Sequence, residues 1–205
     1  MKYKRHNVLI LIILVITIQA CGTAVIKMDQ IPRLEGGSPL SSIEPVTFII
    51  KAESRTGKYV GLGVAPGGRH AELDRKVSDV VAEAIGMELK RNGHRVLESS
   101  DINKADLVII GIVLRYWVEP PKSFLVPTHV GTAQTHITIL KAKDSVEMLS
   151  KTYEGVYHRK EQFLKLPGVA YFKDVLDNAL LNMVKDFTTD PEFLDCLQKI
   201  RRVEK

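Results

Sequence analysis

The residue with the clearest chemistry in this sequence is Cys21, a thiol placed directly after an export signal. A positive head (Lys2, Lys4 and Arg5) precedes an apolar run from Val8 to Ile18, and small Ala20 stands just before the cysteine. This order of charged, apolar and small residues is typical of a secretory signal peptide. The apolar run is too short to cross a bilayer, which takes about 20 such residues as a helix. We therefore expect cleavage after Ala20, with an ordinary signal followed by a chance cysteine as the alternative.

The residues around Cys21 resemble the lipobox of bacterial lipoproteins. Aliphatic Ile18 stands three positions before the cut, Ala20 one position before it, and Cys21 directly after it. The resemblance implies that the Cys21 thiol receives a diacylglyceryl thioether and that the new N-terminus is acylated, with palmitate among the expected chains. Gly22, rather than Asp, after the cysteine favours the outer membrane, with the protein facing the periplasm.

The second cysteine, Cys196, has no cysteine left to pair with once Cys21 carries lipid, so the mature chain holds no intramolecular disulfide. It stands among Phe193, Leu194 and Leu197. A small apolar thiol in such surroundings is usually buried and inert, and we expect that here.

The remaining polar residues form no recognisable reactive set. The histidines of the mature chain are scattered, and the spacing of His129 and His136 puts them on opposite faces of one strand. The glycines between Gly57 and His70 lack both a dinucleotide fingerprint and a Walker lysine. We expect no catalytic, cofactor-binding or metal-binding residues, and we expect that the protein is not an enzyme.

The charge of the chain gives little support to nucleic-acid binding. Loss of the signal removes three basic residues and no acidic ones, which lowers the formal net charge from +5 to +2. Recognition of nucleic acid needs a clustered basic face. We therefore expect no nucleic-acid partner.

Hydrophobic patterning predicts an α/β (α+β) fold: a mixed, mostly antiparallel sheet of about five strands, with two long helices mainly on one face and a short C-terminal helix. The five strands are expected at Val46–Lys51, His94–Leu97, Ala105–Val118, Thr128–Lys143 and Met148–Lys160. Apolar stripes at helical spacing predict helices over Ala71–Asn92 and Val169–Phe187. A third helix is expected from Pro191, with Asp190 as its N-cap.

The strand from Leu107 to Leu114 is apolar on both faces, which indicates cover on both sides. If both long helices pack on one face, the other face needs a different cover: the third helix, the linker or a partner chain. A face that nothing in the monomer covers would be an association surface. Tyr116, Trp117 and Phe124 could anchor such an interface; a packed strand end is the alternative.

The chain is predicted to have three parts: a cleaved signal at 1–20, a lipidated N-terminus with a flexible linker at 21–45, and a single α/β domain at 46–205. Pro32, Gly36, Gly37 and Pro39 stand in the linker, which shows no sustained period. A short strand around Val25–Met28 is an alternative for part of it. About 24 extended residues would reach some 80 Å, so such a linker would let the domain stand off its membrane.

The order of these segments resembles the YajG-type family of bacterial lipoproteins, over roughly Val46–Ile200. The resemblance lies in Cys21, in the helix end Glu88-Leu-Lys-Arg-Asn-Gly-His, in the strand Ala105-Asp-Leu-Val-Ile-Ile, in the hairpin segments from Thr135 and Lys151, and in the helices from Asp177 and Pro191. It implies an α/β domain on a lipid anchor at the cell envelope and no catalytic residues.

Taken together, these features predict a lipid-anchored envelope lipoprotein that acts as a non-catalytic binding or assembly subunit. Its expected partners are the membrane, through Cys21, and an envelope protein or a second copy of itself. The alternatives are a lipid-carrying module of an envelope transport system and, less favoured, an enzyme acting on envelope glycan or lipid.

Overall fold

The computed structural model describes residues 23–55, 57–61, 71–121, 128–160 and 168–203. Its strands and helices are β1 (Ala24–Ile26), β2 (Thr47–Ser54), β3 (Tyr59–Gly61), β4 (Ala71–Leu73), α1 (Val77–Arg91), β5 (Arg95–Leu97), β6 (Leu107–Glu119), β7 (Thr128–Lys141), β8 (Glu147–Lys160), α2 (Val169–Thr189) and α3 (Pro191–Val203). Short 3-10 helices lie at Pro39–Ser42 and Ser99–Lys104.

All strands among the described residues belong to one mixed sheet built around β6. One edge of β6 pairs along its whole length with antiparallel β7, which pairs in turn with antiparallel β8. The other edge pairs with parallel β2 and, further along, with parallel β3. Beyond β2 lies β5, and beyond β3 lie β4 and β1. The predicted fold class and the five predicted strands are confirmed, and three short strands join them.

Both long helices pack on the same face of this sheet. Gly86 of α1 lies against Ile50 of β2, while Gly131 and Gly155 lie directly beneath α2. The core between the layers includes Phe48, Tyr153 and Phe187, all at most 1% exposed. The short helix α3 packs near the start of β8, where Cys196 Sγ donates to the Met148 carbonyl oxygen at 3.3 Å. Cys196 is buried and free, as predicted.

The predicted helix boundaries hold at two specific residues. Gly93 follows α1 with φ +89°, the left-handed conformation that glycine adopts without strain at a helix C-terminus. Asp190 caps α3, because its Oδ1 accepts from the Glu192 amide at 3.0 Å.

The first long helix begins later than its hydrophobic stripe suggested. Ala71–Leu73 forms strand β4 instead, which pairs with β1 on one edge and β3 on the other. Ala71 and Leu73 are buried and Glu72 is half-buried, the alternation of a strand. The prediction of helix over residues 71–76 was wrong, because the three residues of β4 are too few to show a strand period.

The flexible linker predicted at 21–45 is also corrected. From Ala24 onward, the chain packs across the helices as a strap, which we define as residues 24–45. Its side chains Ile26, Met28, Ile31 and Leu40 are at most 7% exposed. The strap is also held by hydrogen bonds from Lys173 to the Gln30 carbonyl and from Arg91 to the Leu34 and Gly36 carbonyls.

The strand directions place the start of the strap at a defined end of the sheet. β1 is parallel to β4, β4 is antiparallel to β3, and β3 is parallel to β6. Ala24 therefore lies at the end where β6 and β8 finish and where β7 and α2 begin. We call this the entry end.

Candidate interaction surface

Two of the sequence-predicted site residues, Cys21 and Phe124, lie outside the described residues. The other two, Tyr116 and Trp117, are neighbours on β6 with opposite environments. Tyr116 is 0% exposed in the core, and Trp117 is half-buried on the face away from the helices. Of this pair, only Trp117 is in position to meet a partner. The prediction of Tyr116 as a surface anchor was wrong, because its side chain is buried in the core.

A β-bulge explains which of the two aromatic rings faces out. Val113 pairs with Thr135, but Arg115 already pairs with Gln134, so Leu114 is an extra residue on β6. A one-residue shift exchanges the two faces of a strand for every following side chain. Without the bulge, Tyr116 would lie on the same face as Ile110 and Ile112; with it, Trp117 does.

The face away from the helices, which we call the open face, carries an apolar stripe along β6. The stripe consists of Ile110, Ile112 and Trp117, all half-buried. Cross-strand pairing places Thr132 and then exposed Val156 beside Trp117. Trp117 and Val156 thus lie in one row of the open face, on either side of Thr132.

Polar side chains border the stripe on both sides. On β7 and β8, the His136 ring lies between Thr152 and Ser150, with Nδ1 3.0 Å from one hydroxyl and Nε2 3.2 Å from the other. On the β2 side, Lys51 and Glu53 are exposed. An apolar centre with a polar rim is the usual anatomy of a protein interface.

An ion pair on β6 interrupts the apolar stripe, because Arg115 is exposed on the open face between Ile112 and Trp117. Arg115 donates to Glu119 at 2.6 Å, and both side chains are partly exposed. On β7, Arg115 pairs with Gln134 and Glu119 pairs with Val130. The two charged side chains therefore flank Trp117 along β6. Charges in this position would set the orientation of a bound partner more than its affinity.

The helix-side face holds a polar cluster of its own around His129. His129 Nδ1 lies 3.2 Å from the Tyr171 hydroxyl, which itself donates to the Arg159 carbonyl. A hydroxyl has a single proton, so His129 Nδ1 is the donor in their contact. Burial lowers the pKa of His129. His129 and His136 thus face opposite ways, as their spacing predicted.

Tyr116 and Asp177 form a second buried polar pair. The Tyr116 hydroxyl and Asp177 Oδ1 are both buried without a hydrogen-bond partner among the described residues. Burial raises the pKa of Tyr116, and the nearby Asp177 charge raises it further. Burial also raises the pKa of Asp177, against the opposing pull of Lys173. This pair is internal and offers no surface to a partner.

A groove lies on the outer side of the helix layer, between the strap and the two long helices. It has a volume of about 380 Å³. Its apolar lining comes from Pro32, Leu34, Ala84, Met87, Leu181 and Val184, and its charged lining from Arg33, Glu88, Lys90 and Arg91. Residue spacing did not reveal this groove, because one wall is the strap that was expected to be a linker.

Two further kinds of feature are absent from the described part of the chain. There, no group of three or more His, Cys, Asp or Glu side chains is placed to hold a metal ion. No helix in that part is long and apolar enough to cross a membrane.

Comparison with known proteins adds information about the fold. No protein-family model matches the chain, and no curated protein matches it. A solved structure from Xanthomonas campestris, assigned to family DUF330, is similar over 89% of this chain and 100% of its own, with 12% identity and a TM-score of 0.60. These two chains share a fold.

Other solved structures are more distant. A candidate homologue of a neuraminyllactose-binding hemagglutinin from Helicobacter pylori matches over 83% of this chain and 95% of its own, with 11% identity and a TM-score of 0.49. A candidate lipoprotein from Caulobacter crescentus matches over 81% and 95%, with 13% identity and a TM-score of 0.46.

Proposed function

We propose that this protein is a lipid-anchored envelope lipoprotein that acts as a non-catalytic accessory subunit and binds an envelope protein through its open face. Kinship with YajG-type lipoproteins, and a place in the outer membrane facing the periplasm, are parts of this proposal. Lipid attachment at Cys21 rests on the residues from Lys2 to Cys21.

The observation that carries the binding role is the position of Trp117. The bulge at Leu114 places this large ring on the open face, in line with Ile110 and Ile112, and buries Tyr116 in its stead. Tryptophan is enriched among the residues that dominate binding energy. The polar rim of Lys51, Glu53 and His136 favours a protein partner over a lipid surface.

The test is photo-cross-linking in cells from a reporter at Glu154. This exposed residue lies on the open face of β8, beside the Val156 that shares a row with Trp117. We expect a specific envelope protein to be captured there, and we expect Trp117→Ala to reduce the capture at least tenfold. The matched control is a reporter at Lys185, exposed on α2, where that adduct should be absent.

Three results would contradict the binding role. They are the same adducts from both positions, adducts that Trp117→Ala leaves unchanged, and no adduct at Glu154. If the only adducts are with a second copy of the chain, the open face mediates self-association and does not bind a different envelope protein.

The groove favours lipid carriage as a second candidate. Its volume lies within the range of small-molecule sites, and its apolar lining suits a single acyl chain. Glu88 in the lining is paired with Arg91 at 2.7 Å, so Arg33 and Lys90 would give the groove its attraction for an anionic head. Saturable binding of a fluorescent fatty acid that Met87→Trp weakens would support this function. Binding unaffected by that substitution would contradict it.

A further inference from the structure

The entry end is the part of the domain nearest to the proposed lipid anchor. Only residues 22 and 23 separate Cys21 from Ala24, the first residue of β1. Three peptide steps span at most about 11 Å. Ala24 must therefore lie within that distance of Cys21, whatever path the intervening chain takes.

The strap is fixed to the domain from its first strand onward. Ala24, Val25 and Ile26 pair in order with Ala71, Glu72 and Leu73. The Asp74 amide then donates to the Ile26 carbonyl at 3.1 Å, and the Met28 amide donates to Asp74 Oδ1 at 3.1 Å. The freely pivoting domain that a long linker would allow is therefore ruled out.

From this tether, we propose that the entry end faces and touches the lipid bilayer that anchors Cys21, with the opposite end of the sheet pointing away from it. This inference rests on the proposed lipidation of Cys21. β7 has 14 residues and spans about 45 Å at ~3.4 Å per residue. The turn between β7 and β8, which includes Val146, is thus held some 40 Å further from the membrane.

The described residues of the entry end suit a lipid–water boundary. Val25 and Val169 are 50% and 42% exposed, and Pro120 and Lys160 are also exposed. Aliphatic side chains can enter the acyl boundary, while a lysine reaches lipid phosphates on its flexible stem.

The test measures the distance of two labelled positions from the bilayer in the full lipidated protein. Val169→Cys at the entry end and Val146→Cys at the far end each receive a fluorophore, in phosphatidylethanolamine–phosphatidylglycerol vesicles containing nitroxide-labelled lipid. Burial raises the pKa of the Cys196 thiol, so we expect little background labelling, and the parent protein provides the blank. We expect at least threefold stronger quenching at position 169 than at 146. Equal quenching, or none at 169, would overturn the proposal.

A matched variant tests the tether itself. Insertion of twenty Gly and Ser residues between Thr23 and Ala24 keeps the lipid signal and the strap but lengthens the reach severalfold. We expect it to abolish most of the difference between the two positions. If the insertion leaves the difference in quenching between positions 169 and 146 unchanged, the short tether is not the cause of the orientation.

Mass spectrometry of the N-terminal peptide separates this inference from the proposal on which it rests. Lipidated protein without preferential quenching at position 169 would overturn the orientation alone. Protein that lacks lipid on Cys21 would overturn both.

Discussion

At the scale of single residues, Gly155 allows α2 to lie directly on the sheet. A Cβ there would overlap the Ala179 carbonyl oxygen and the Met183 amide nitrogen, which are helix backbone atoms that cannot rotate away. We expect Gly155→Ala to lower the free energy of unfolding by about 3 kcal/mol, at the upper end of overpacking costs. Urea unfolding measures it.

Gly37→Ala is the matched control for that prediction. A Cβ at position 37 meets no atom within 4 Å, and Gly37 is not among the residues with positive φ. Its effect should stay within about 0.5 kcal/mol. Equal effects at both positions would show that α2 is not seated on the sheet as described.

Asp190 is a second residue whose role can be measured, through the pH dependence of stability. Burial acts to raise the pKa of Asp190, but hydrogen bonds from Tyr153, at 2.6 Å, and from Lys151 outweigh it, and the pKa lies below its usual 3.8. A lowered carboxyl pKa stabilises the folded state above the unfolded-state pKa, and this contribution is lost as the pH falls through the folded-state value.

Asp190→Asn should therefore cost about 1–2 kcal/mol at pH 7, where a charged acceptor of a buried hydroxyl is lost. The difference from the parent should shrink as the pH falls from 5 toward 2. Asp195→Asn, at an exposed helix pair with Lys199, should cost less than about 0.5 kcal/mol. If the difference in unfolding free energy between Asp190→Asn and the parent stays constant across this pH range, the pKa of Asp190 is not lowered in the folded state.

The residue scale also shows where reading the sequence succeeds and where it fails. The cap at Asp190, the glycine at 93 and the opposite faces of His129 and His136 follow from local chemistry and strand period, and each was predicted. The burial of Tyr116 was not, because it depends on the bulge at Leu114. A bulge is formed between two strands and leaves no signal in one of them.

At the scale of elements, the strap gives the sharpest prediction. Ile26 is 1% exposed and Val25 is 50% exposed, although they are neighbours on β1. Ile26→Ala should lower the free energy of unfolding by about 3 kcal/mol, because it leaves a cavity in the core. Val25→Ala should change it by less than about 0.5 kcal/mol. Chemical denaturation measures the free energy of unfolding of both variants. If neither substitution changes it, the strap is not packed on the domain, and the predicted flexible linker would be right.

Most of the strap escaped prediction for a physical reason. Only its start was expected as an alternative, the short strand around Val25–Met28, and β1 lies there at Ala24–Ile26. The later buried residues Ile31 and Leu40 follow neither a helical nor a strand period, because most of the strap is irregular chain docked on helices. What holds it are distant partners, Arg91 and Lys173 among them. Periodicity reports regular elements, so a docked irregular segment reads as a linker.

At the scale of the whole molecule, the two-sided apolar run of β6 predicted its central place in the sheet, which is confirmed, and cover on both faces, of which the described residues provide only part on the second face. The helices cover one face, and the open face keeps Ile110, Ile112 and Trp117 half-buried. The proposed anchor, strap and open face together make a domain held close to a membrane with a lateral surface for a partner. The place of this domain at a membrane depends on the fate of Cys21.

The most direct measurement is therefore mass spectrometry of the mature N-terminus from the native envelope, with Cys21→Ser as its pair. We predict that the parent begins at Cys21 with thioether-linked diacylglycerol and an acylated amine, and that it sediments with membranes. We predict that Cys21→Ser carries no lipid and leaves the membrane fraction. A parent protein with a free Cys21 thiol, or one cut elsewhere, would contradict the account.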